Sequence, residues 1–167
     1  MARALPRVDP LAPKGPLRRA FAWLSGTRPV GWFSRHVMWR LDPHVMRWSG
    51  GRIRMGGLLP TALLETTGAK TGEPRANAVI YFHDGERVTI IASRLGDPRD
   101  PHWFHNLVAH PDVVFGGAPF RAEVVAGEAE RARLWGMADR VFPAYATYRE
   151  RAGAVGRTIP VVQLIPR

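Results

Sequence analysis

The chain contains no cysteine. That excludes disulfides, thiolate zinc sites, iron–sulfur clusters and cysteine nucleophiles, and it is compatible with a cytoplasmic location. The start of the chain also lacks the apolar run that a signal peptide or a membrane span needs. Met1 to Pro16 holds two arginines and a lysine and is broken by prolines at positions 6, 10, 13 and 16, so it reads as a mobile arm. Two phosphate-binding fingerprints are missing as well. A Walker loop needs Gly-x-x-x-x-Gly-Lys-Ser/Thr before a helix, whereas here Lys70 precedes Gly72 and Pro74 leads into a β-branched run. No Gly-x-Gly-x-x-Gly occurs, so the dinucleotide fold is excluded. No Gly-x-Ser-x-Gly elbow occurs either, which removes the common serine hydrolases. There is no internal repeat and no low-complexity run.

What is present fits one domain with an extension. At 167 residues and 46% hydrophobic the chain can bury a real core, because a chain of roughly 150 residues buries about two-thirds of its unfolded surface. Its net charge of +10 is unevenly placed. Residues 1–60 carry 11 Lys or Arg against Asp9 and Asp42, net +9, while residues 61–167 carry 13 against 12, net +1. The first third also holds Trp23, Trp32, Trp39 and Trp48 among its arginines. Over Trp32 to Trp48 the spacing fits two short amphipathic helices, interrupted at Asp42-Pro43. Such a surface suits the interface of an anionic membrane, or it packs on the rest of the fold or across a dimer. A nucleic-acid partner is not favoured, since a membrane interface accounts better for the tryptophans.

Thr66 to Arg75 is the most informative stretch. It reads Thr-Thr-Gly-Ala-Lys-Thr-Gly-Glu-Pro-Arg between two apolar runs. Gly68 and Gly72 open backbone conformations closed to other residues, and Lys70 and Arg75 bring two cations to one loop. The stretch reads as an anion site, since a plain hairpin needs neither cation; the competing reading of Lys70 and Arg75 is a solvated hairpin.

Around it the pattern predicts about six strands with helices between them. Leu58 to Thr66 and Arg75 to Phe82 flank the turn. Asp84-Gly85 leads to a third strand, Arg87 to Ser93, and then to a loop, Arg94 to Arg99. Asp100 as cap and Pro101 in the first turn start a helix with Trp103, Leu107 and Val108 buried, ending at His110-Pro111. A second hairpin joins Val113 to Phe115 with Phe120 to Val125 through Gly116-Gly117. A helix over Glu128 to Phe142 carries Arg131, Arg133 and Arg140 on its solvated face. Tyr145 and Tyr148 lie on a short helical turn, and Ile159 to Ile165 is the last strand. The class is α+β, a small antiparallel barrel with inserted helices and an N-terminal helical extension. The division falls at 1–57 and 58–167. His102 and His105 stand i, i+3 on a helix without a carboxylate in the following turn, so they are read as a solvated face and no metal site is expected.

Three segments then carry a resemblance. They are Leu63 to Arg75, Ile90 to Gly96, and Pro101 to Leu107 with Ala109-His110-Pro111; Phe142-Pro143-Ala144-Tyr145, Tyr148 and Arg157 to Val162 agree with it. In order and spacing the chain resembles the deazaflavin-dependent nitroreductase family, actinobacterial proteins that use reduced coenzyme F-420. The match covers about residues 58–165. It implies a split β-barrel of the FMN-binding type that holds the deazaflavin noncovalently. By the resemblance, Lys70, Thr71, Gly72 and Arg75 meet the coenzyme's phosphate and acidic tail. Asn77, Ser93, Arg94, Leu95, Gly96, His102, Trp103 and Asn106 line the rest of the cofactor site. Tyr145, Tyr148 and Ser93 become the candidate catalytic donors on the substrate side.

There are departures. The family commonly has a basic residue where Ala69 stands and Lys-Gly-Gly where Arg94-Leu95-Gly96 stands, which removes a tail contact and leaves the loop less free to adopt positive φ. Phe142 replaces a frequent tyrosine. The activity implied is transfer of a hydride from reduced coenzyme F-420 to an electron-poor acceptor, a quinone, nitroaromatic or enone. The other reading is a noncatalytic flavin or lipid carrier at a membrane surface. A homodimer, and a cytoplasmic protein peripheral to the membrane, are the accompanying expectations.

Overall fold

The computed structural model describes residues 5–12, 15 and 59–167. The helices expected over Trp32 to Trp48 lie outside these residues. Six strands are described: β1 (Thr61–Thr67), β2 (Pro74–Asp84), β3 (Arg87–Ile91), β4 (Asp112–Phe115), β5 (Ala118–Val124) and β6 (Val161–Pro166). They join in the order β1-β2-β3-β6-β5-β4, and β4 returns to β1 to close the barrel. Every neighbouring pair is antiparallel. The expected small barrel is therefore the observed one.

Alternation along the strands decides which side chains fill it. Leu64, Tyr81, Val88, Ile90, Phe115 and Leu164 point inward and form one buried cluster. Their neighbours Phe82, Ile91 and Val161 point outward, yet they too are buried, against helices α2 (Glu128–Val141) and α3 (Tyr145–Gly153). Burial on both faces is why β3 is buried from Val88 to Ile91, Thr89 included, rather than on alternate residues. Each such side chain contributes about 1.5–3 kcal/mol by leaving water. Arg133 fastens α2 to the β2–β3 hairpin. Its guanidinium reaches Asp84 at 2.6 and 3.0 Å and Glu130 at 2.7 Å, so it is not simply part of a solvated face. Hydrogen bonding from Arg133 holds the Asp84 carboxyl below the usual carboxylate range.

Antiparallel order gathers the ends of β1, β3 and β5 and the starts of β2, β4 and β6 at one end of the barrel, here termed the mouth. Helix α1 (His102–Ala109) covers the mouth with Trp103 and Leu107, which join the interior cluster. Val108 was expected in that buried stripe but is 58% exposed, because a helical turn of 3.6 residues carries it past the face shared by 103, 106 and 107. Asp100 does not cap α1. Its carboxylate accepts hydrogen bonds from Arg157 instead, and no side chain caps the helix.

The opposite end is sealed by Leu5–Val8. The Val8 N–H donates to His83 Nδ1 at 3.0 Å, and the His83 N–H donates to Val8 O at 2.8 Å. The Tyr81 hydroxyl reaches Pro6 O at 2.8 Å, and Arg7 reaches Gly85 O and Glu86. Leu5 and Val8 pack against the interior cluster. The reading of Met1 to Pro16 as a mobile arm thus fails for these residues, since their backbone groups and apolar side chains find partners in the barrel.

Candidate functional site

Residues 68–73 close the β1–β2 hairpin at the mouth. The Gly68 N–H donates to Glu73 O and the Gly72 N–H to Gly68 O, both at 2.8 Å. Gly72 has φ +70°, and a Cβ on Gly68 would lie 2.8 Å from Thr71 Oγ1, so neither position tolerates a side chain freely. The Thr71 hydroxyl serves the turn itself, accepting from the Glu73 N–H at 3.4 Å. Lys70 stands exposed, with no ion pair or hydrogen bond among the described residues. Arg75 pairs with Glu73 at 2.9 Å with both side chains more than half exposed, an interaction worth under about 1 kcal/mol that a stronger anion can replace.

Asn106 roots this turn on α1. Its Oδ1 accepts from the Ala69 N–H at 3.0 Å and its Nδ2 donates to Thr66 Oγ1 at 3.1 Å. The resemblance implied that it lines the cofactor site; the structure engages both ends of its amide in holding the cationic turn. Asn77 is half-buried on β2 opposite Leu64, on the inward side that Val79 and Tyr81 continue. Trp103 is almost fully buried within the barrel cluster, while His102 is exposed. Among the described residues no group of three or more His, Asp or Glu side chains could hold a metal ion.

The second mouth loop follows β3, which ends at Ile91 rather than at Ser93 because the backbone changes hand. Ser93 is right-handed at φ −72°, ψ −39°, and then Arg94 (φ 45°), Leu95 (φ 58°) and Gly96 (φ 79°) are all left-handed. For residues with a Cβ this costs about 1–2 kcal/mol each. Strain of this kind collects at functional sites. Right-handed followed by left-handed residues turn successive N–H groups to one side and form an anion-binding concavity. Among the described residues, the N–H groups of Ser93, Arg94 and Leu95 have no hydrogen-bond acceptor. Gly96 presses on α3, where a Cβ would stand 2.7 Å from Tyr148 O.

Behind the loop lies Arg157, whose side chain is 8% exposed. It donates from Nη2 to Ala92 O (2.6 Å), from Nη1 to Ser93 O (3.1 Å) and Asp97 O (2.6 Å), and from Nε and Nη2 to Asp100 Oδ1 (2.9 and 2.7 Å). The residue reading gave Arg157 no role of its own. Its mark in the sequence is a charge two residues before a buried apolar segment, where a cation needs partners.

Tyr145 and Tyr148 sit on α3 beside this loop, packed edge-on with each other and with Phe142 and Trp135. Both belong to the outer buried cluster. Burial first, then the neighbouring Tyr148 and Asp139, holds the Tyr145 phenol well above the ordinary tyrosine range. It is therefore neutral at any working pH, a hydrogen-bond donor and not a base. Arg149 lies 4.4 Å over the Trp135 ring and forks onto Asp139 at 2.7 and 2.9 Å, which fixes the far side of the cluster.

The mouth thus combines two unlike donor sets. A cationic, glycine-shaped turn suits an anionic tail, and a row of N–H groups without acceptors among the described residues suits the electron-rich edge of a ring. That combination fits a phosphate-bearing deazaflavin.

Known proteins bear on this arrangement. The family model described as F-420H(2)-dependent quinone reductase matches residues 38–166. An F-420H(2)-dependent quinone reductase of Mycobacterium tuberculosis is 41% identical over 147 residues, which is 81% of this chain and 97% of the relative. Among solved structures, an F-420-H2-dependent reductase is 33% identical with a TM-score of 0.54, covering 63% of this chain and 93% of the other. A domain-swapped dimer is 27% identical with a TM-score of 0.57, covering 81% and 98%. The chain belongs to the F-420H(2)-dependent quinone reductase family, and it is an oxidoreductase that uses reduced coenzyme F-420.

Proposed function

We propose that the protein reduces a quinone at the barrel mouth, with Lys70 and Arg75 as the anchor for the coenzyme's phosphate and acidic tail. The observation that carries this reading is the pairing, at one barrel end, of the cationic turn with the Ser93–Leu95 amides, which have no acceptor among the described residues. Reduced coenzyme F-420, when bound, supplies the hydride. The chain's own part is position and charge. Thr71 and Gly72 shape the turn, Asn106 fixes it to α1, and Lys70 stands ready for an anion. Ser93, Arg94, Leu95 and Gly96 offer backbone donors to the ring edge, while Trp103 and α1 keep the barrel interior dry beneath it. Asn77 and His102 complete the rim of the proposed site. Tyr145, Tyr148 and Ser93 serve as the donors on the acceptor side, where a hydrogen bond to a developing oxyanion contributes about 10²- to 10⁴-fold in rate.

The division into an N-terminal unit, 1–57, and a coenzyme-binding unit, 58–167, belongs to the same proposal. The domain-swapped relative supports a homodimer. The arginine- and tryptophan-rich composition of the first unit supports attachment to an anionic membrane surface. No helix among the described residues is long and apolar enough to cross a membrane.

The test is to mix purified protein with reduced coenzyme F-420 and a panel of a quinone, a nitroaromatic and an enone, and to follow the coenzyme's absorbance. Faster turnover with the quinone is expected. Coenzyme binding without turnover on any acceptor makes the protein a carrier, and tight FMN binding in place of coenzyme F-420 overturns the assignment.

A further inference from the structure

We propose that Arg157 is the positioning residue of the coenzyme site: from outside the ligand's reach it fixes the Ser93–Asp97 loop in its left-handed form and so aims the Ser93 and Arg94 amides. The ligand half of this inference rests on the function proposed above.

A guanidinium has five N–H donors, one on Nε and two on each Nη. Here there are five donor–acceptor contacts, one from Nε and two from each Nη, and all end on Ala92, Ser93, Asp97 and Asp100. No donor remains for a phosphate or a carboxylate, so Arg157 is not part of the anion site despite its charge. Asp100 supplies the compensating carboxylate, and this engages the group that would otherwise have capped α1.

What the clamp does follows from peptide geometry. A trans peptide points its C=O and N–H in opposite directions. Drawing Ala92 O and Ser93 O toward Arg157 therefore sends the N–H groups of Ser93 and Arg94 the other way, and these are donors without acceptors among the described residues. The loop's own residues do not favour the form that results. Arg94 and Leu95 are the positive-φ residues with a Cβ among the described positions, and the local bonds helping them are Gly96 N–H to Ser93 O and Asp97 N–H to Arg94 O. Gly96 against Tyr148 O leaves the loop no room to shift toward α3. Arg157, contributed from beyond α3 in sequence, is what over-determines the conformation.

Glycine takes positive φ without the Cβ penalty, which gives a test specific to this role. Arg157→Ala, Arg157→Lys, Leu95→Gly and the Arg157→Ala/Leu95→Gly double variant are each titrated with oxidised coenzyme F-420 by fluorescence. Amide hydrogen exchange of Gly96 and Asp97 is followed in the free proteins. Arg157→Ala should weaken binding about 10- to 100-fold and speed exchange at Gly96 and Asp97 at least tenfold. Arg157→Lys keeps the charge but loses the planar fork, so it should stay at least fivefold weaker than the parent. Adding Leu95→Gly to Arg157→Ala should recover at least fivefold in affinity over Arg157→Ala.

Parental affinity in both Arg157 variants, or no recovery by Leu95→Gly, overturns the positioning role. Unchanged exchange at Gly96 and Asp97 overturns the clamp whatever the binding shows. Should Arg157→Ala not fold, Arg157→Lys is judged on the same two measurements. If the parent protein does not bind coenzyme F-420 while Arg157→Ala still frees the loop, the functional reading fails and the clamp stands.

Discussion

The two ends of the barrel are built on opposite principles. At the end sealed by Leu5–Val8, the contacts between the strap and the barrel pair polar groups within the fold: a histidine ring with a backbone amide, a phenol with a carbonyl, an arginine with a carbonyl and a carboxylate. At the mouth, among the described residues, Lys70 has no partner, three N–H groups have no acceptor and two non-glycine residues are left-handed. The first end stabilises the fold. The second keeps strain and unsatisfied donors; a bound coenzyme would satisfy the donors, so its binding should stabilise the folded protein.

Substitutions can break this comparison, and glycines give the largest effect. Gly96 and Gly85 both have positive φ, +79° and +61°, but a Cβ at Gly96 meets Tyr148 O at 2.7 Å whereas one at Gly85 meets nothing within 4 Å. Gly96→Ala should cost about 2–3 kcal/mol and abolish detectable coenzyme binding, while Gly85→Ala should cost about 1 kcal/mol and leave binding intact. Chemical denaturation with a coenzyme titration checks both, and equal losses at the two glycines would erase the distinction.

Lys70→Ala comes next. It should weaken coenzyme F-420 binding about tenfold, roughly 1.4 kcal/mol, without moving the melting temperature by more than about 2 °C. Arg75→Ala should do less, because Arg75 must first leave Glu73. An isothermal titration in which neither variant weakens binding would sink the anion role of the turn.

Tyr81→Phe should be smaller and of the opposite character. Losing the bond to Pro6 O should lower stability by about 1 kcal/mol with coenzyme affinity unchanged.

The finest effect is one of pH. Burial first, then Arg7, lowers the His83 pKa from its ordinary value of 6.5, and Nδ1 must stay unprotonated to accept the Val8 N–H. Because the folded state binds this proton less readily than the unfolded chain, stability is complete above the unfolded value and declines as pH falls below about 6.5 toward the folded one. Melts between pH 7.5 and 5 should show this decline, and His83→Gln should flatten it.

The strands and helices were legible to within a few residues because alternation, helical periodicity and turn residues are local signals. The cationic turn was legible for the same reason, its glycines and cations lying within ten residues. Asn106 was flagged as a site residue, but its engagement with Thr66 and Ala69 was not visible, since those partners lie 40 and 37 residues away. The docking of the sealing strap is not legible, because its prolines argue against regular structure and say nothing of what the segment packs on. Val108 and Asp100 show the same limit on α1. Periodicity offered a buried stripe and a cap, but the barrel decided which face turned inward and Arg157 took the carboxylate.

The chain's local pattern specified an antiparallel barrel with helices laid on it and a cationic, glycine-shaped turn between its first two strands. It also showed, through Arg94 and Leu95, where a left-handed loop would be difficult to form. That the loop forms nonetheless, and that the turn is rooted on α1, follows from contacts between distant segments. The physical reason lies in distance along the chain. Local residues set local preferences, but a preference of one or two kcal/mol is overruled when a guanidinium from 60 to 65 residues away fixes the carbonyls of Ala92, Ser93 and Asp97.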